Sequence, residues 1–104
     1  MEWFKDIHGR RIQLTNEREE HIEADHPEMF GQLDKIENTL LNPDRIVKSR
    51  TDPQIELFYR YYKTTPVAEK YVCVVVKLLV GDLFIITAYF TDTIKGGEIL
   101  WERK

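Results

Sequence analysis

The chain has 104 residues, 42% of them hydrophobic and 32% charged, with a formal net charge of −3. This is the composition of one globular domain of 1–104, not of a disordered or fibrous segment. Its longest apolar runs, Tyr71 to Val76 and Leu83 to Ile86, are far shorter than the ~20 residues of a membrane helix. The opening Met1-Glu2-Trp3-Phe4-Lys5-Asp6 lacks the basic start and apolar middle of a secretory signal, so we expect a soluble, cytoplasmic protein with no membrane partner. A lone cysteine, Cys73, excludes an internal disulfide and a cysteine-cluster zinc site.

In chain order, Arg11 to Leu14 reads as a short strand. Thr15 then offers a hydroxyl N-cap to a first helix, Asn16 to Asp25, whose Glu17, Glu19 and Glu20 suit the positive helix end. Pro27 disfavours helical geometry at His26 and ends it. A second helix is expected from Phe30 to Asn42, with Leu33, Ile36, Leu40 and Leu41 on one stripe and Asn42-Pro43 as its stop. Beyond Pro43 the period changes to two. Strands are expected over 45–50, 55–63, 70–80 and 83–91, with a short extended piece over 96–101. Helices followed by strands imply an α+β fold: two N-terminal helices packed on one face of a four-stranded antiparallel sheet, the other face left as a working surface.

Parity assigns the faces. An odd loop, Val80-Gly81-Asp82, places Val72, Val74, Val76, Phe84, Ile86 and Ala88 against the helices, and Lys77, Thr87 and Tyr89 on the opposite face. A two-residue Gly81-Asp82 turn would instead set Lys77 beside Ile86.

Charge is unevenly spread. Residues 1–42 hold five Lys/Arg against ten Asp/Glu, and residues 43–104 ten against eight. An acidic whole argues against non-specific nucleic-acid binding but leaves room for a local basic site.

Chemistry rests on few residues. His21 and His26 carry the side chain that titrates near neutral pH. Their five-residue gap is not the four-residue gap that stacks two metal ligands on one helical face, so a zinc pair is disfavoured; Glu17 and Asp25 on the His21 face leave a weak metal site conceivable, and surface histidines near carboxylates are the plainer reading. Lys77 interrupts an apolar strand and needs solvent or a partner for its ammonium; a functional cation and a lysine on the open face guarding the sheet from aggregation fit equally well. Thr87 sets a hydroxyl in an apolar run, although threonine and tyrosine are ordinary strand residues. Arg60, between Tyr59 and Tyr61-Tyr62, makes Arg60 and Tyr62 candidates for substrate contact by phosphate pairing and base stacking. It equally fits an arginine whose stem covers apolar surface. Cys73, within a valine run, reads as a buried hydrophobe, and Asp52-Pro53, Thr64-Thr65-Pro66 and Gly96-Gly97 read as loop chemistry.

Taken together, Arg11-Ile12-Gln13-Leu14-Thr15 with Glu17-Arg18, His21-Ile22 and His26-Pro27-Glu28, then Leu40, Pro43-Asp44, the tyrosine-rich strand, Val74-Val75-Val76-Lys77 and Ile86-Thr87-Ala88-Tyr89, resemble the phage-linked nuclease branches of the Barnase–EndoU–Colicin–RelE superfamily. The resemblance spans roughly residues 10–101 and lies in the order of short motifs. It implies one or two helices on a four-stranded antiparallel, RelE-like sheet, and a metal-independent ribonuclease, toxin-like or RNA-processing, that needs no cofactor. It places the catalytic histidines at His21 and His26, the strand lysine at Lys77, the hydroxyl at Thr87 and, more loosely, Tyr89. RNA and a protein partner such as an antitoxin follow as partners. The reaction implied is attack of the RNA 2′-hydroxyl on the adjacent phosphate, with His26 and Lys77 the favoured pair. The alternative is a non-catalytic module of the same fold that binds RNA or protein.

Overall fold

A computed structural model describes residues 1–104. The strands are β1 (Glu2–Lys5), β2 (Arg11–Leu14), β3 (Arg45–Lys48), β4 (Ile55–Tyr62), β5 (Lys70–Leu79), β6 (Asp82–Thr91) and β7 (Glu98–Glu102). Between β2 and β3 lie α1 (Asn16–Asp25), a 3-10 turn (Pro27–Met29) and α2 (Leu33–Leu41). No helix is long and apolar enough to cross a membrane.

The sheet corrects the expected architecture. It has seven strands in the order β1-β2-β6-β5-β4-β3-β7, and it is mixed: β2 runs parallel to β6, through the pair Gln13 and Phe84. The expected four-stranded antiparallel sheet is its centre, β6-β5-β4-β3. The additions are non-local or too short to show a period. Four-residue β1 folds back on β2, and β7 closes the far edge against β3, pairing Val47 with Ile99, 52 residues further along the chain.

The helices begin and end for local reasons. The Thr15 hydroxyl accepts the Arg18 N–H at 3.2 Å, capping α1. His26 donates its N–H to Ile22 O at 2.7 Å and closes the helix, and Pro27 opens the 3-10 turn. The second helix starts at Leu33 and not at Phe30, because Gly31 takes a left-handed φ of +76° that breaks the run. Only Ile22 of α1 is buried, whereas α2 buries Ile36, Thr39 and Leu40.

The register of β5 with β6 changes once. Near the hairpin, Leu79 faces Asp82, Lys77 faces Phe84 and Val76 faces Ile85. The turn is therefore the two residues Val80-Gly81, with Gly81 at φ +81°. Beyond a bulge, Val75 faces Thr87, Val74 faces Ala88 and Cys73 faces Tyr89. The outer half thus keeps the parity of the expected odd loop and the inner half does not. Val72, Val74, Val76 and Ala88 enter the helix-side core with Ile12, Leu14 and Leu40. Phe84 and Ile86 do not: Ile85 takes the buried place, and Ile86 packs on the opposite face. Lys77, Thr87 and Tyr89 share that opposite face, as their partners Phe84, Val75 and Cys73 require. Part of it is itself a small core of Val47, Leu57, Tyr59, Cys73 and Val75.

A buried ionic group fixes the β1–β2 ribbon across the helix side. The Asp6 carboxylate is fully buried and accepts Arg10 Nε at 2.7 Å together with the N–H groups of His8 and Arg10 at 2.9 Å. Arg10 Nη2 reaches on to Glu56 Oε1 of β4 at 2.7 Å. Burial alone would lower the Arg10 pKa, but the two carboxylates outweigh it and hold the guanidinium charged. Arg10→Met leaves Asp6 buried beside no cation. We expect a loss of about 2–3 kcal/mol of stability, discounted for the partial exposure of Arg10, measured by urea unfolding at neutral pH.

Candidate functional site

The face of the sheet away from the helices carries a cleft of about 490 Å³, within the range of small-molecule and nucleotide sites. Its floor is Ile55, Leu57 and Val75, with Thr87 and Tyr89 beside them. One wall is Ser49, Arg50 and Thr51, from the β3–β4 loop; the other is Lys95 and Gly96, from the segment before β7.

Each wall is tied to the sheet. The Lys95 N–H donates to the Tyr59 hydroxyl at 3.1 Å, which hangs its segment over β4. The β3–β4 loop is knit by Ser49 Oγ, which accepts the N–H groups of Thr51 and Asp52, and by Asp52 Oδ1, which accepts the Gln54 N–H at 2.9 Å. Asp52 Oδ2 then takes the Lys77 ammonium at 2.5 Å, and the Lys77 hydrogen bond, with the Gln54 N–H second, draws the Asp52 carboxyl below its ordinary pKa. Arg50 reaches the other wall: a Cβ at Gly96 would stand 2.7 Å from Arg50 Nη2, so a side chain there would push the guanidinium from this position.

The electrostatics of the cleft differ from those of the molecule around it. Arg45, Lys48, Lys70, Lys77 and Arg103 each pair with a carboxylate. Arg50 and Lys95 make no ion pair, and no carboxylate lines the cleft. Two uncompensated cations therefore flank an apolar floor in an acidic chain, which favours an anionic ligand.

His26 reaches this face round the outer half of β6. The short β2 pairs with β6 only near Phe84, so α1 and the 3-10 turn flank the rest of that strand. The His26 ring centroid stands 5.5 Å from that of Tyr89, tilted by 33°. Its Nδ1 is 3.7 Å from Glu28 Oε1. In the row below, Tyr59, Cys73 and Tyr89 are cross-strand neighbours. Burial, with the Cys73 thiol alongside, pushes both tyrosine hydroxyls upward, so they remain neutral hydrogen-bond donors.

The expected site residues thus fall into three places. Thr87 and Tyr89 line the cleft, and His26 stands beside Tyr89 without lining it. Lys77 adjoins its far end beside Ile55, clasped by Asp52; it lies four residues along β5 from Cys73, the partner of Tyr89, roughly 13 Å of strand away. His21 stays on the exposed side of α1, its Nε2 3.7 Å from Glu17 Oε1. Arg60 and Tyr62 lie on the helix side: Arg60 Nη1 donates to Asn42 O at 2.6 Å, and the Tyr62 hydroxyl bonds Asn38, Thr39 and Lys35 O of α2. They are not brought to the cleft. Arg50 and Lys95 were not singled out in the sequence; the one local signal was Gly96-Gly97, where the backbone is approached closely.

Burial pushes the Cys73 thiol up to about 11. A raised thiol pKa favours the neutral form in the fold, so stability falls as pH rises above the ordinary thiol value of about 8.5. Alkylation of Cys73 at pH 8 is expected to be slow in native protein and fast in urea, read by mass spectrometry.

A family model described as phage-Barnase-EndoU-ColicinE5/D-RelE like nuclease2 matches residues 2–102. The chain belongs to this nuclease family. No curated protein and no solved structure matched it.

Proposed function

We propose that this member of the nuclease family is a ribonuclease that cleaves RNA with its own side chains and without a metal ion, in the cleft between the β3–β4 loop and the Lys95–Gly96 segment. The observation that carries the reading is that two cations without an ion pair, Arg50 and Lys95, line a cleft that holds no carboxylate, which suits a phosphodiester. The Thr87 and Tyr89 hydroxyls lie within the same cleft and orient its oxygens, and the His26 imidazole stands beside Tyr89.

The reaction is a transesterification. His26 takes the proton of the 2′-hydroxyl, the 2′-oxygen forms a bond to phosphorus, and the bond from phosphorus to the 5′-oxygen breaks. The proton returns to the leaving 5′-oxygen through solvent, so the step is proton-neutral and ends in a 2′,3′-cyclic phosphate. Arg50 and Lys95 stabilise the added negative charge of the phosphorane, which grows between ground and transition state and is therefore where preorganised cations act most. Lys77 acts at one remove. Its ammonium is bound to Asp52, and Asp52 shapes the loop that presents Arg50.

The test is incubation of purified protein with total RNA in excess chelator. Cleavage leaving 2′,3′-cyclic ends, with DNA of the same sequence untouched, is the expected result. Chelator-sensitive cleavage rejects metal independence. Clean inactivity with retained gel retardation of RNA makes the protein a binding module of the same fold.

Variants refine the assignment. His26→Ala should lower kcat by about 10²–10⁴-fold with the melting temperature nearly unchanged. Arg50→Ala and Lys95→Ala should each lower kcat/KM and flatten its salt dependence. Lys77→Met and Asp52→Asn should give matching partial losses, and the charge exchange Lys77→Asp with Asp52→Lys should restore part of the rate. A lysine in direct contact with the reacting phosphate could not be restored in this way.

A further inference from the structure

One register row crosses the sheet outside the cleft. Trp3 of β1 faces Gln13 of β2, Gln13 faces Phe84 of β6, Phe84 faces Lys77 of β5, and Lys77 faces Ile55 of β4. Residues paired in this way point to one face. Their chain neighbours Phe4, Ile12, Leu14, Val76 and Ile85 are buried on the helix side, so the row lies on the cleft side. It ends at Ile55, which already lines the cleft.

The far end of the row has the chemistry of a stacking platform. Trp3 is 48% exposed. The Arg11 guanidinium lies 4.5 Å from its ring centroid, and Arg11 makes no ion pair with a carboxylate. Lys5 stands next to Arg11 across the ribbon. Trp3, Phe4, Lys5 and Arg11 of the β1–β2 ribbon also border a groove of about 360 Å³ closed by Glu37 and Leu41 of α2, and Glu37 is the one carboxylate in its lining.

We propose that this row is a distal subsite for single-stranded RNA, with one base stacked on Trp3 and a phosphate held by Arg11. It rests on the ribonuclease reading and names its substrate class: an unpaired strand that continues out of the cleft past Ile55 and over Phe84. Four strand spacings of about 4.8 Å separate Ile55 from Trp3, roughly 19 Å, so the stacked base sits a few nucleotides from the scissile phosphate. An aromatic face with an adjacent cation accepts any base, because each has a π-face and each linkage a charge. A duplex keeps its bases stacked on one another and has none to offer.

The experiment compares fluorescence anisotropy of labelled 2′-O-methyl oligonucleotides, two and eight residues long, which bind without being cut. The parent should bind the longer strand more tightly. Trp3→Ala should weaken the longer strand about tenfold and so remove most of that preference, while Trp3→Phe retains it. Arg11→Gln should reduce the salt slope for the longer strand by about 0.7. With cleavable RNA, the ratio of kcat/KM for long over short substrates should fall in the same variants. Equal binding of the longer strand by parent, Trp3→Ala and Arg11→Gln overturns the subsite and leaves the ribonuclease reading standing. A parent that neither binds nor cleaves RNA overturns both. If Trp3→Ala does not fold, an unchanged salt slope in Arg11→Gln is sufficient to reject the proposal.

Discussion

Val76 faces Ile85 and Val75 faces Thr87, so Ile86 is an extra residue in β6. Strand side chains alternate, and one inserted residue exchanges the faces of everything beyond it. Residues 84 and 87 differ in parity and would point to opposite sides of an unbroken strand. The bulge brings both to the cleft side, while Ile85 and Ala88 both remain in the helix-side core. The cleft chemistry of Thr87 and Tyr89 and the lateral row through Phe84 therefore share a surface only because of it. Below the bulge the strand is held by β2, and beyond it by α1 and the 3-10 turn, and this exchange of neighbours opens the space through which His26 meets Tyr89.

Charge is organised by the same division. The helix side holds Arg10 part-buried between Asp6 and Glu56. Arg45, Lys48 and Lys77 of the central sheet each pair with a neighbouring carboxylate. Surface pairs of this kind contribute little stability each; their larger effect here is that the cations lining the cleft, Arg50 and Lys95, are left without one. An acidic exterior, dense on α1, disfavours polyanions there, so on the ribonuclease reading binding would concentrate at the cleft and the strip that leads from it.

Local signals were legible where local physics decides. Thr15 and Pro27 bounded α1, and the change of period after Pro43 located four central strands. Gly31 shortened α2 because a left-handed residue cannot continue a helix. The missing parts are non-local. Nothing in Glu2–Lys5 encodes its pairing with β2, and nothing in Glu98–Glu102 encodes its pairing with β3 across a bulge of its own. For the site, the meeting of His26 with the Tyr89 face followed from a helix ending beside a strand. Lys77 stood out in sequence because it interrupts an apolar strand, and the structure gives that lysine a carboxylate, as burial demands. Arg50 and Lys95 lie in ordinary loop sequence. What distinguishes them is that both line one cleft that holds no carboxylate, a property of three-dimensional neighbours that no spacing records.

The two cleft walls have no secondary structure of their own, yet a phosphoryl site requires its cations held to within fractions of an ångström. Two cross-links meet that need from different strands. Tyr59 of β4 holds the Lys95 backbone and Lys77 of β5 holds the Asp52 loop, while the Arg50 guanidinium lies close against Gly96. Gly97 continues the fit, since a Cβ there would stand 2.7 Å from Val47 Cγ1 and collide with the Lys48 carbonyl of β3. The order of dependence runs outward. The central strands fix Tyr59 and Lys77, these fix the loops, and the loops fix two charges that no carboxylate compensates. Replacing Tyr59 by phenylalanine would keep the buried ring and remove the acceptor for the Lys95 N–H, which loosens one charge and leaves the other in place. Such a change should act on kcat more than on KM: one cation still binds the ground-state phosphate, and both are needed only when the phosphorane acquires its extra charge.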